Sequence, residues 1–156
     1  MTIEKAKQVL YQHVINPIIE FEIERNLFID EKGRDKYNSI VRNNVENRNG
    51  VYLWVNSGNN EIIYIGMAGK IKSNGKYGNH SIQKRLLAAR GKDKMTKKYV
   101  QTNDYIRNIM TDKDIQKIKF YIMYSKIGEP PAFLEALLLY EFYKINTRLP
   151  MLNSSF

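Results

Sequence analysis

The chain has 156 residues, of which 43% are hydrophobic, and it contains no cysteine. This length suits one domain with a single hydrophobic core, and the lack of cysteine excludes disulfide bonds and cysteine-ligated zinc. Because no apolar run approaches the ~18 residues of a membrane span and the N-terminus has no signal-peptide pattern, we expect a cytoplasmic protein with no membrane partner.

The first third of the chain is predicted to be helical. Apolar residues recur at near-helical spacing from Ile3 to about Asn26, and Pro17 interrupts that run. Residues 30–49 are polar, with a short helix expected around Tyr37–Val45. We therefore expect residues 1–49 to form an N-terminal helical arm, followed by a main domain over residues 50–156.

Two strands and a hairpin turn open the main domain. Residues 50–55 are rich in aromatic and β-branched side chains, residues 56–60 form a turn cluster, and residues 62–66 read as a second strand. A glycine-containing basic loop follows to Asn79. Ser81 can cap a helix that runs to Gly91. A helix over residues 102–110, a third strand over 118–124 and an apolar helix over 132–146 complete the order, which indicates an α+β layer architecture.

The net charge is +9, and the charge is unevenly distributed along the chain. Residues 1–50 have 8 basic and 8 acidic side chains, so the whole excess lies in residues 51–156. Lys70–Lys98 alone contains 10 basic residues and one acidic residue, Asp93. Such a block is typical of a surface that contacts a phosphate backbone, although a solvated charge run has the same composition. The candidate nucleic-acid-binding residues are Lys70, Lys72, Lys76, Lys84, Arg90, Lys92, Lys94, Lys97 and Lys98.

Five residues form a constellation suited to phosphodiester hydrolysis. Tyr52 and Tyr64 lie on the two strands of the predicted hairpin, Arg85 lies on the helix beside the basic loop, and Glu141 and Asn153 come from the last helix and the chain after it. The reaction needs a base for water, a cation for the phosphate and a Lewis acid for the leaving oxygen. A phenol titrates near ~10, so a tyrosine base needs nearby cations, for which Lys70 and Arg85 are candidates.

The order of these residues resembles the GIY-YIG endonuclease family. The paired motif that names the family is matched by Gly50-Val51-Tyr52 and Tyr64-Ile65-Gly66. The family's arginine helix is similar to Ser81–Leu86. Its C-terminal motif is similar to Glu141, Ile145, Pro150 and Asn153. The resemblance covers residues 50–153. It implies a small three-stranded antiparallel sheet flanked by helices and a divalent cation, usually Mg²⁺ or otherwise Mn²⁺.

The resemblance also implies a role for each residue. Tyr52 and Tyr64 would be the paired tyrosines, one of which acts as base or orients the water. Arg85 would bind the scissile phosphate, Glu141 would hold the metal, and Asn153 would steady the site through hydrogen bonds.

Two motif positions depart from the family. Members of the excision-repair type have a lysine three residues after the second tyrosine, where this chain has Met67, and Lys70 is the nearest substitute. Many members have histidine or tyrosine four residues after the arginine, where this chain has Ala89, and His80 is the candidate replacement. The identity of the proton acceptor is therefore open among these residues.

The apolar last helix contains two carboxylates, Glu135 and Glu141. They lie roughly 240° apart around a helix, so they cannot share one face. We expect Glu135 to have a structural role near the helix start, where the dipole favours negative charge. Glu141 is the predicted metal ligand, because Ile145, Pro150 and Asn153 follow it in the family's order and a buried carboxylate needs a partner.

The sequence therefore predicts a metal-dependent DNA endonuclease. A sequence-specific restriction-type enzyme is favoured, and a homodimer would follow from the need to cut both strands. The alternatives are a repair or recombination nuclease that nicks DNA, an RNA nuclease, and a non-catalytic nucleic-acid-binding module on the same fold.

Overall fold

A computed structural model describes residues 1–156. It contains five α-helices, six β-strands and one short 3-10 turn over Arg25–Phe28. The helices are α1 (Ile3–Leu10), α2 (Gly33–Asn44), α3 (Ile82–Leu87), α4 (Thr102–Asp112) and α5 (Pro131–Asn146), and the strands are β1 (Ile19–Glu24), β2 (Gly50–Asn56), β3 (Glu61–Ala68), β4 (Ala89–Lys92), β5 (Tyr99–Gln101) and β6 (Lys117–Tyr124). None of the helices has the length and apolarity that crossing a membrane requires.

Four of the strands form an antiparallel sheet in the order β1-β6-β2-β3. The predicted α+β class is confirmed, but the sheet has four strands rather than three. The additional strand is β1, and the helix predicted from Ile3 to about Asn26 ends at Leu10 instead. Residues 19–24 alternate apolar side chains with Glu20, Glu22 and Glu24, and this period of two is a strand pattern.

The predicted boundary at residue 49 does not separate an arm from the main domain. β1 is an edge strand of the sheet, and its Phe21 stacks on Phe120 of β6 with ring centroids 4.9 Å apart. α2 places Tyr37 and Val41 in the same buried cluster as the tyrosines of β2 and β3. The first third of the chain therefore belongs to the common core.

Each face of the sheet has its own buried cluster, because side chains alternate along a strand. On one face, Tyr52, Trp54 and Tyr64 pack under α2, α3 and α4. On the other face, Val51, Leu53 and their neighbours pack against α1 and α5. The tyrosine pair thus lies on the α3 side of the sheet, and α5 covers the opposite side.

A small hairpin replaces the end of the helix that was predicted from Ser81 to Gly91. α3 is capped by Ser81 as expected but ends at Leu87, and Ala88 is extended. β4 and β5 then pair around a turn in which Asp93 Oδ1 accepts from the backbone N–H groups of Met95 and Thr96. The other predicted elements, β2, β3, α4, β6 and α5, are confirmed with small shifts of their ends.

Candidate active site

The β2–β3 hairpin brings Tyr52 and Tyr64 together on one face of the sheet, as the motif predicted. Tyr52 lies opposite Gly66 and Trp54 lies opposite Tyr64, so the two tyrosines are diagonal neighbours. Their ring centroids are 5.9 Å apart. An irregularity after Trp54 leaves Ile63 without a partner in β2, and the residues beyond it no longer share this register.

The two glycines of the paired motif are required by close packing. A Cβ atom on Gly66 would lie 2.5 Å from the Tyr64 ring and 2.9 Å from the Tyr52 hydroxyl oxygen. A Cβ atom on Gly50 would lie 2.2 Å from the carbonyl oxygen of Met123 in β6. Gly66 therefore leaves the space that the two phenol rings occupy, and Gly50 lets β2 approach β6.

The two tyrosines differ in their access to solvent. Tyr52 is 0% exposed, whereas Tyr64 is 8% exposed and lines a surface cleft of about 290 Å³. Burial raises the pKa of Tyr52, and the neighbouring Tyr64 phenol raises it further, against the lowering effect of Arg90 and Arg85. Tyr52 is thus held as a neutral phenol, and the cations that act on it are Arg90 and Arg85 rather than Lys70.

Glu135, not Glu141, lines the cleft that contains Tyr64. Glu135 lines the same cleft as Tyr64 and Asn153 and forms no salt bridge. Burial raises its pKa, and the charge of Arg85 opposes that rise. It stands beyond the first turn of α5, which begins at Pro131, so the expected helix-dipole role for Glu135 does not apply.

The predicted metal ligand Glu141 faces a different side of α5. Its Oε1 accepts a hydrogen bond from Lys144 Nζ at 3.1 Å, and its side chain is 18% exposed. The partner that a carboxylate on this helix needs is therefore a lysine one turn away. The residues after Glu141 match the family's order, but its carboxylate pairs with Lys144 and does not line the cleft that contains Tyr64.

Asn153 binds the backbone of β3 directly beside Tyr64. Its Oδ1 accepts from the Ile65 N–H at 3.0 Å, and its Nδ2 donates to the Ile65 carbonyl oxygen at 2.8 Å. Leu152 adds a backbone bond to the Ile63 carbonyl oxygen at 2.9 Å. Because β3 is an edge strand, this segment satisfies its free edge and fixes the position of Tyr64.

Lys70, His80 and Arg85 line a neighbouring cleft of about 290 Å³ together with Met67. Both Lys70 and His80 are exposed. The structure thus places the two candidate substitutes beside Arg85, but it does not place them in the cleft of Tyr64 and Glu135. A larger groove of about 610 Å³ follows α1 and contains none of the predicted site residues.

Most of the predicted nucleic-acid-binding residues are exposed, with one exception. Eight lysines lie at the surface: Lys70, Lys72, Lys76, Lys84, Lys92, Lys94, Lys97 and Lys98. Arg90 is instead half-buried, and its guanidinium carbon lies 4.3 Å from the ring centroid of Tyr105, 4.8 Å from that of Tyr64 and 5.2 Å from that of Trp54. Sequence reasoning placed Arg90 among surface cations, and only the alternation of β4 could have indicated that it faces inward.

No group of three or more histidine, cysteine, aspartate or glutamate side chains is close enough to hold a metal ion. The donor set of the cleft is one carboxylate, which fits Mg²⁺ or Mn²⁺, since these cations accept one or two carboxylates with water and phosphate oxygens completing the shell. Comparison with family models, with curated proteins and with solved structures finds no match for this chain.

Proposed function

We propose that this chain is a metal-dependent endonuclease of the GIY-YIG type that hydrolyses phosphodiester bonds in DNA. The observation that carries the proposal is the position of Glu135. The Glu135 carboxylate is half-buried, has no ion-pair partner and shares a cleft with Tyr64 and Asn153. The charge of Arg85 lowers its pKa, against the effect of burial. Keeping such a group unpaired is costly, and a divalent cation would provide the missing partner.

Each residue has a role in this proposal that follows from its surroundings. Glu135 would hold Mg²⁺ or Mn²⁺, which when bound supplies a Lewis acid for the leaving oxygen. Arg85 would grip the phosphate, since a guanidinium can donate to two of its oxygens at once. Tyr64 lines the cleft and would orient or deprotonate the water, whereas buried Tyr52 would donate a hydrogen bond to its neighbour. Asn153 holds the strand that carries Tyr64.

The surface lysines support DNA as the substrate. The block from Lys70 to Lys98 flanks α3 and extends along the β4–β5 hairpin, so exposed cations lie on both sides of Arg85 in the chain. An electrostatic surface of this kind tracks phosphates without reading bases. Sequence-specific restriction is the favoured role, and a homodimer that cuts both strands stays a prediction.

The test is cleavage of supercoiled plasmid with Mg²⁺ or with EDTA, comparing the parent protein with Glu135→Gln and with the matched control Glu141→Gln. We expect Mg²⁺-dependent cleavage by the parent and by Glu141→Gln. Glu135→Gln should lower the cleavage rate by at least about 100-fold, because mutating even a residue that hydrogen-bonds to a metal ligand lowers metal affinity or activity by about 10–100-fold. An active Glu135→Gln beside an inactive Glu141→Gln would reject the assignment.

Glu135→Gln should remain folded. Because the folded-state pKa of Glu135 is raised, its contribution to stability is present at acid pH and is lost as the pH rises through that pKa. Glutamine is neutral at pH 7, so the variant does not lose this stability, and the metal-free variant should melt no lower than the parent at pH 7.

The sequenced ends of the cleaved plasmid distinguish the possible roles. Discrete ends indicate restriction, and scattered nicks indicate repair or recombination. Salt-sensitive binding without cleavage indicates a non-catalytic module.

A further inference from the structure

Arg90 is an inward-facing cation without a counter-ion. Three ring faces surround its guanidinium at 4.3–5.2 Å, and it lines the cleft that contains Glu135 and Asn153. Other arginines of the chain pair with carboxylates: Arg25 with Asp114, Arg107 with Asp104, and Arg148 with Glu61. Arg90 forms no salt bridge although it is less exposed than Arg107 and Arg148.

The charge of Arg90 is nevertheless retained. A guanidinium stays protonated in proteins. Burial lowers the pKa of Arg90, but the neighbouring Tyr64 and Tyr52 raise it above its ordinary value. Ring faces hold a cation through their quadrupoles, but they do not use up its five planar N–H donors. Donors of this kind in a cleft match the oxygens of a phosphate.

Arg85 and Arg90 line two different clefts, but both act on Tyr52. Arg85 lines the cleft of Lys70 and His80, and Arg90 lines the cleft of Tyr64 and Glu135. Both cations act on Tyr52, and Arg85 acts on Glu135. Neither arginine pairs with Glu135. Two cations and one carboxylate thus stay unpaired around the same tyrosines, which is the charge pattern that a metal-bound phosphate would complete.

We propose that Arg90 is a second phosphate-binding residue, which with Arg85 clamps the phosphodiester group from the side of Tyr64 and Glu135. The proposal rests on the proposed function for the identity of the substrate, but it concerns binding rather than cleavage. Arg90 would then provide, from β4, a contact to the phosphate that the exposed lysines alone do not provide.

The first experiment measures binding of inorganic phosphate by thermal shift, against chloride at matched ionic strength and without metal. A ligand that binds only the folded state raises the melting temperature. We expect phosphate to stabilise the parent protein and the control Arg107→Gln, which loses an exposed arginine on α4. The shift should vanish in Arg90→Gln and be reduced in Arg90→Lys, which keeps the charge without the planar fork.

The second experiment measures affinity for a labelled DNA duplex in Ca²⁺ at several salt concentrations. Loss of a charge-assisted hydrogen bond predicts about 10–100-fold weaker binding by Arg90→Gln, and the salt slope should decrease by about 0.9 for one phosphate. Arg85→Gln should show a similar loss, and the double variant less than the product of the two, because the residues share one group.

Neither measurement requires cleavage, so the two proposals can fail separately. A phosphate response that depends on Arg90 supports the clamp even in a protein that never cuts plasmid. If Arg90→Gln and Arg90→Lys respond to phosphate and bind duplex as the parent does, the clamp is wrong even for an active nuclease. A duplex effect without a phosphate response would place Arg90 on the DNA path away from the scissile group and would also overturn the clamp.

Discussion

At the scale of single residues, Tyr52 and Tyr64 are equivalent in the motif but not in the fold. Tyr52 is fully buried and burial raises its pKa, whereas Tyr64 reaches the cleft. Tyr64→Phe should therefore lose on the order of 10²–10⁴ in the cleavage rate, as removal of a general base does. Tyr52→Phe should lose less, because its hydroxyl acts through its neighbour. Rates are measured on plasmid in Mg²⁺, with melting curves to show that both variants fold.

If both variants cut at the parent's rate, the tyrosine mechanism is wrong. His80→Ala is then the next variant, since imidazole is the more usual base near neutral pH and His80 lies beside Arg85. A larger loss for Tyr52→Phe than for Tyr64→Phe would reverse the roles assigned to the two phenols.

Local spacing was sufficient to predict where several candidate residues lie in the fold. Strand and helix patterns place Tyr52, Tyr64 and Arg85 on β2, β3 and α3, and Asn153 lies after α5 as expected. Glu135 was assigned a structural role instead, because a helix places residues by their angle around its axis and the order of later residues does not give that angle. Arg90 was predicted as a nucleic-acid-binding surface cation, but its inward orientation was not predicted, because a charge run has the same composition whether or not one member faces inward.

At the scale of elements, the β4–β5 hairpin carries the densest exposed charge. Lys94, Lys97 and Lys98 lie at its tip beside the exposed Met95. If this tip tracks the phosphate backbone, replacing the three lysines by glutamine should weaken DNA binding and lower the salt slope by up to about 2.7, which is 0.9 for each of three phosphates. Anisotropy of a labelled duplex at several salt concentrations measures both quantities.

The matched control replaces three exposed lysines elsewhere, Lys5, Lys32 and Lys113. It lowers the net charge equally, so any general electrostatic effect is the same in both variants. Equal salt slopes for the two triple variants would place the DNA away from the hairpin.

The elements that the sequence did not predict are either too short for a periodic signal or dependent on a distant partner. β5 has three residues and β4 has four, which is too short for a periodic signal. β1 follows an apolar stretch whose spacing also fits a helix, and its strand identity comes from pairing with β6, about 100 residues later. Long apolar elements, such as α5 after Pro130-Pro131 and β6, were predicted correctly.

At the scale of the whole molecule, the N-terminal third completes the fold rather than extending from it. β1 covers the edge of β6, and its Glu20, Glu22 and Glu24 pair with Lys7, Lys117 and Lys119 on the outer face. Exposed ion pairs of this kind contribute little to stability, but charges on an edge strand oppose pairing with other chains. The apolar side of β1 provides the stability through Phe21 and Ile23.

Phe21→Ala tests this integration. Phe21 is 8% exposed and stacks on Phe120 at 4.9 Å, so its truncation should lower the free energy of unfolding by about 3–5 kcal/mol, the usual cost for a core phenylalanine. The control is Phe133→Ala on α5, where the side chain is 50% exposed and the cost should stay near 0.5 kcal/mol or below. Urea unfolding followed by tryptophan fluorescence measures both, because Trp54 lies 5.5 Å from Phe120, centroid to centroid. An independent N-terminal arm would instead give the two variants the same small loss, since the tryptophan would then report a core that Phe21 does not join.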